Sequence, residues 1–72
     1  STEVVYSSYS ILSEREKEIL DLLAKGYTTT QIANIVGLSP ETVKWYRKKL
    51  LVKFDVSNTV ELISQVNKMM IL

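Results

Sequence analysis

Five of the nine basic residues in this 72-residue chain lie in one run, Lys44-Trp45-Tyr46-Arg47-Lys48-Lys49-Leu50-Leu51-Val52-Lys53. Ammonium and guanidinium groups at that density neutralise phosphates and donate hydrogen bonds to base edges. The run follows Gly37-Leu38-Ser39-Pro40-Glu41-Thr42-Val43, which reads as a tight turn opening into a helix. A short turn that launches a basic helix suits the major groove of DNA. The formal net charge of only +1 conceals this. Most acids (Glu3, Glu14, Glu16, Glu18, Asp21 and Glu41) precede Lys44, so the asymmetry belongs to one element.

Composition narrows the classes of function. The chain has no histidine and no cysteine, which removes the commonest general base, the commonest metal ligands and any disulfide framework. The remaining carboxylates form no pair in an apolar setting that would tune one for acid–base work. An enzyme is not expected, and neither a cofactor nor a metal is called for. No apolar stretch approaches the roughly 20 residues that span a bilayer, and no signal-peptide pattern opens the chain. The expected setting is cytoplasmic, with no membrane partner.

Elements able to hold the basic run announce themselves by their caps. Ser13-Glu14-Arg15-Glu16 is a capping box, Thr28-Thr29-Thr30-Gln31 repeats it, and Asn58-Thr59-Val60-Glu61 is a weaker third. Ser39-Pro40 pairs an N-cap with proline at the first helical position. The spacing predicts helices over about 14–25, 29–36, 40–54 and 59–70, an all-α, four-helix domain. Ile19, Leu20, Leu22 and Leu23 form the apolar side of the first helix, and Ile32, Ala33 and Val36 that of the second. Residues 1–11 read as a linker or tail, partly docked through Tyr9 and Ile11, and residues 12–72 as the domain.

From Gln31 to Leu50 the chain has the spacing of a helix-turn-helix. Ala33 suits a close crossing of two helices, and Gly37 supplies positive φ at the turn. Leu38 plugs the angle, and Val43 returns to the same core. The competing reading is an ordinary helical hairpin with glycine as its C-cap, which leaves the basic second helix unexplained.

Joined together, Leu12-Ser13-Glu14-Arg15-Glu16-Lys17-Glu18-Ile19-Leu20, Gly26, Gln31-Ile32-Ala33, Leu38-Ser39, Thr42-Val43-Lys44 and Lys53-Phe54 resemble the LuxR-type (GerE-like) DNA-binding domain over about residues 12–66. The resemblance implies a four-helix domain that reads DNA with its third helix and contacts a second copy through its fourth. It also implies the C-terminal effector part of a response regulator or an autoinducer-binding regulator. This chain departs from the family pattern at Tyr46, commonly histidine, at Asp55, commonly glycine, and at Thr59, commonly arginine.

Helical periodicity divides the basic helix into faces. Val43, Leu50 and Phe54 share one side, with Tyr46 or Arg47 beside them, and Lys44, Trp45, Lys48 and Val52 share the opposite one. Lys44, Trp45 and Lys48 are therefore the expected base-reading set, and matching positions to the family pattern implies the same three. The competing readings are lysines that merely solvate an outer helix face, which leaves the exposed tryptophan beside them unexplained, and a Trp45 packed inside. Arg47, Lys49 and Lys53 flank that face and suit phosphates. Ser39 and Thr42 stand at the helix N-terminus, where the dipole favours a phosphate, although Ser39 serves equally well as a cap.

The fourth helix carries two apolar stripes, Val60-Ile63-Met70 and Leu62-Val66-Met69. One must dock the helix, and the second is expected to meet a partner copy. Leu62, Val66 and Met69 are the expected dimer contacts, unless both stripes form one wide docking face. The expected function is sequence-specific binding of double-stranded DNA in transcription regulation, as a homodimer on DNA. Contact with the transcription machinery is compatible with it. A sigma-factor-like promoter reader and a protein-interaction module gripping an acidic partner are the alternatives.

Overall fold

In the computed structural model, which describes residues 9–71 and their side chains through Lys68, the chain forms four helices. They are α1 (Glu14–Ala24), α2 (Thr29–Val36), α3 (Pro40–Lys53) and α4 (Thr59–Ile71). Tyr9 and Ser10 are helical as well, and no strand occurs among the described residues. No helix there is long and apolar enough to cross a membrane. The all-α, four-helix expectation holds, with boundaries within a residue of those read from the caps.

Each helix starts where a side chain covers its orphan amides. Ser13 Oγ accepts from the Glu16 amide at 3.1 Å while Glu16 Oε1 accepts from the Ser13 amide at 2.9 Å. Thr28 and Gln31 repeat the arrangement at 3.2 and 2.9 Å. Ser39 Oγ caps α3 through the Thr42 amide at 3.2 Å, with Pro40 in the first turn. In α4, Asn58 Oδ1 accepts from the Glu61 amide at 2.9 Å.

The helix ends are as specific. After α1 the Tyr27 amide reaches the Leu22 carbonyl and the Gly26 amide the Leu23 carbonyl, the paired bonds of a left-handed stop. Gly26 takes that conformation at φ 91°. Asp55 does the same after α3 at φ 54°, with Val56 bonded to Leu51 and Asp55 to Val52. An aspartate tolerates this conformation through its short polar side chain, at more cost than glycine.

Helices α1 and α3 are the centre of the domain, each packing against all three of the others. Leu12, Ile19, Leu20, Leu23, Ile32, Ala33, Val43, Leu50, Phe54, Leu62 and Val66 form the core, with Val36, Leu38 and Tyr46 packed on its edge. Two expectations are corrected here. Ile11 does not dock: it is 67% exposed, and Leu12 takes the buried place instead. Leu62 and Val66 are not dimer contacts, because both are fully buried. A terminal helix on so small a core must dock by its best stripe, and this stripe is the one. The Met69 side chain lies outside the described residues.

One charged group lies inside. Glu16 occupies the buried stripe of α1 with Ile19, Leu20 and Leu23. Its carboxylate receives the Lys53 ammonium at 2.9 Å and the Lys49 ammonium at 3.6 Å, so α3 is tied to α1 by charge as well as by packing. Burial opposes ionisation of Glu16. The Ser13 amide, the Lys53 ammonium and the Ser13 hydroxyl outweigh it and bring the carboxyl from 4.5 down to about 2.

A carboxyl held below its unfolded value adds stability above that value and loses it as pH falls towards the folded one. Stability from Glu16 is thus fully present above about pH 5 and disappears towards about pH 2. The contribution is on the order of 1–3 kcal/mol after allowing for solvent screening. Urea unfolding of the wild type and Glu16→Gln across this range should show their difference shrinking as pH falls. A difference independent of pH would remove the charge from the account.

Candidate nucleic-acid interface

The basic run becomes α3, and its two faces separate as helical geometry requires. Val43, Leu50 and Phe54 are buried, while Lys44, Trp45, Lys48 and Val52 stand exposed on the opposite side. Lys44 and Lys48 lie one turn apart on that outer face, near enough to address neighbouring base pairs. Among the described residues no carboxylate pairs with Lys44, Arg47 or Lys48. Their charge is available to a ligand.

Trp45 does not pack into the core. It is 57% exposed and meets the Tyr46 ring edge-on, with centroids 5.0 Å apart and planes at 77°. The Lys49 ammonium lies 5.0 Å from the centre of its indole. The inner side of the aromatic pair is supported, because Tyr46 packs against the core. Tyr46 therefore serves as a rest for Trp45.

The flanking groups divide. Lys53, expected at a phosphate, is instead held inward: its ammonium donates to Glu16 Oε1 at 3.1 Å and lies 2.9 Å from Oε2 as an ion pair. Moving it to a phosphate would leave a buried carboxylate with less compensation, which is costly. Lys49 is shared between Glu16 and the Trp45 ring. Arg47 is half-buried and Thr42 half-buried beside the α3 N-terminus. Ser39 acts as the cap, and its hydroxyl lies 2.9 Å from that of Thr42. One hydroxyl proton of this pair satisfies the other oxygen, so one donor remains for an outside acceptor.

The turn before α3 is closed on itself. Gly37, at φ 74°, and Leu38 both donate their amides to the Ala33 carbonyl. Arg15 then reaches from α1 to the Val36 carbonyl at 2.9 Å and covers the end of α2, where a cation also suits the helix dipole. Arg15 also pairs with Glu18 at 3.3 Å. A shallow groove lined by Asp21, Ala24, Lys25 and Asn67 lies between the α1 end and α4, and takes no residue from α3.

Sequence reasoning treated Glu16 only as part of a capping box and missed its role beneath the basic helix. The signal was present. Glu16 shares the i, i+3, i+4, i+7 stripe with Ile19, Leu20 and Leu23, and a carboxylate on an apolar stripe requires a cation from a neighbouring element.

The profile of bacterial regulatory proteins of the luxR family matches residues 10–66. The Escherichia coli protein called uncharacterized response regulatory protein YgeK is 44% identical over 64 residues, covering 89% of this chain and 44% of that protein. The Bacillus subtilis transcriptional regulatory protein DesR is 38% identical over 63 residues, covering 88% of this chain and 32% of that protein. The Bordetella pertussis protein BvgA, called a virulence factors putative positive transcription regulator, is 44% identical over 54 residues, covering 75% and 26%. The chain thus spans less than half the length of these relatives. With a tight glycine turn, a capped helix and an unpaired basic outer face in place, the chain belongs to the luxR family of bacterial regulatory proteins, and its helix-turn-helix is a DNA-binding domain of transcription regulation.

Proposed function

We propose that the domain recognises a specific double-stranded DNA site by placing α3 in the major groove, with Lys44, Trp45 and Lys48 against base edges. The observation that carries this reading is the division of charge on α3. Lys49 and Lys53 are drawn inward to Glu16, whereas Lys44 and Lys48 flank an exposed indole with no carboxylate partner among the described residues. A lysine can donate to guanine O6 or N7, and an indole can press on a thymine methyl. Arg47, Thr42 and the remaining hydroxyl donor of the Ser39–Thr42 pair are the phosphate contacts that set register.

The same domain pairs with a second copy on DNA through the outward stripe of α4, where Val60 is 78% exposed and Ile63 half-buried. One short helix per subunit buries less than the ~1,200 Å² of a stable complex, so pairing needs the two half-sites to bring copies together. We read the chain as the effector part of a longer signal-controlled protein, a reading supported by its likeness to the response regulatory protein YgeK, of which it covers 44%. The signal enters outside these residues.

In vitro selection of bound duplexes from a random pool tests the reading, with a scrambled duplex and an acidic peptide as controls. Lys48→Ala should cost about 1–3 kcal/mol on the selected site and relax one or two base pairs, without lowering thermal stability. Retention of full discrimination by Lys44→Ala, Trp45→Ala and Lys48→Ala alike would refute the recognition role of α3.

The two stripes of α4 give a paired outcome. Val60→Glu should leave the melting temperature near wild type and abolish cooperative binding to paired half-sites. Val66→Glu should unfold the domain, since it puts an unpaired charge in the core. Cooperativity that survives Val60→Glu would place the partner contact away from this face.

A further inference from the structure

Lys49 sits between two unlike neighbours. Its ammonium is 3.6 Å from the Glu16 carboxylate, whose side chain is only 3% exposed, and 5.0 Å from the centre of the Trp45 ring. Trp45 lies four residues earlier on the same helix, so one side chain bridges the core carboxylate and the reading face. The carboxylate limits where the ammonium can go, and the ammonium favours one face of the indole. Tyr46 meets the same ring edge-on at 5.0 Å. An exposed tryptophan on a free helix face would sample several rotamers; here two fixed neighbours restrict it.

Resting on the DNA-reading role proposed above, we propose that Lys49 is a positioning residue rather than a phosphate ligand: anchored by Glu16, it fixes the Trp45 ring on the outer face of α3 and so creates a preference for thymine at the base pair that ring meets. The thymine C5-methyl is the group an indole edge can recognise, and a ring held in one place keeps that edge against the methyl, whereas a mobile ring averages over positions that miss it. The preference is a property of the set Glu16, Lys49 and Trp45.

Lys49→Met keeps the aliphatic stem and removes the charge, while Lys49→Arg restores a cation that can stack on the ring. Trp45 is the only tryptophan in the chain, so its fluorescence reports this contact directly. In the free domain, acrylamide quenching of Trp45 should rise in Lys49→Met and return towards wild type in Lys49→Arg, with melting curves confirming that both are folded. On the selected duplex, each thymine is replaced in turn by uracil, which removes only the methyl. Wild type and Lys49→Arg should bind one such duplex on the order of threefold or more weakly, and Lys49→Met should bind it as well as the parent site.

Two results would overturn the proposal. One is quenching unchanged by Lys49→Met. The other is an intact uracil penalty together with a salt slope lowered by about 1 per subunit, the mark of a lost phosphate contact. If wild type prefers no duplex over the scrambled control, the DNA-reading role fails instead. The quenching result then still decides whether Lys49 orders Trp45.

Discussion

The domain is organised around a carboxylate that lies where an apolar side chain would otherwise be. Glu16 sits in the inward stripe of α1, 2% exposed, and two lysines of α3 turn back to meet it. Removing a charge from water costs several kcal/mol, and only close hydrogen bonds and ion pairs repay it. The Ser13 amide and the Lys53 ammonium provide them. The arrangement admits few alternatives, because rotating or sliding α3 would leave the carboxylate uncompensated. Apolar packing of Val43, Leu50 and Phe54 holds α3 down, and Glu16 fixes which way it faces.

That constraint sorts a run of like charges into two classes. Without it, five cations within ten residues would form one diffuse basic surface. With it, Lys49 and Lys53 are drawn to the α1 side, while Lys44 and Lys48 remain outward beside Trp45. The outer face is therefore narrower and more sharply defined than the charge run suggests. A narrow face matters for base reading, since direct readout depends on donors matched to the acceptor pattern of base edges, whereas phosphate contacts carry no sequence information. The turn contributes in the same direction. Ala33 receives two amides beyond α2, and Arg15 covers the Val36 carbonyl, so the approach of α2 to α3 is set by hydrogen bonds rather than by packing alone.

Local chemistry was the legible part of the sequence. Ser13, Thr28, Ser39 and Asn58 each start a helix where their side chains fall, and Gly37 takes the positive φ expected of it at the turn. Those features depend on residues within four positions of one another, so sequence contains them whole. The faces of α3 were also legible, because period alone separates Val43 and Leu50 from Lys44 and Lys48. Long-range partners were not. Lys53 looked like a phosphate ligand because its carboxylate is 37 residues away. Leu62 and Val66 looked like partner contacts because two stripes on one helix are equivalent until the core is known. Which of them docks is settled by the shape of the surface left between α1 and α3. Ile11 was expected to dock and its neighbour Leu12 takes the buried place, a one-residue difference where no period operates.

The central claim is that Glu16 and the core present one face of α3, marked by Lys44, Trp45, Lys48 and Val52, to DNA. The most direct measurement is a titration of the isotope-labelled domain with its selected duplex, followed residue by residue through amide and side-chain chemical shifts. The account predicts the largest changes at Lys44, Trp45 and Lys48, with Thr42 and Arg47 next, and Glu16 and Lys53 keeping their free-state pairing. Changes centred on the outer surfaces of α1 or α2, or loss of the Glu16–Lys53 pairing on binding, would contradict it.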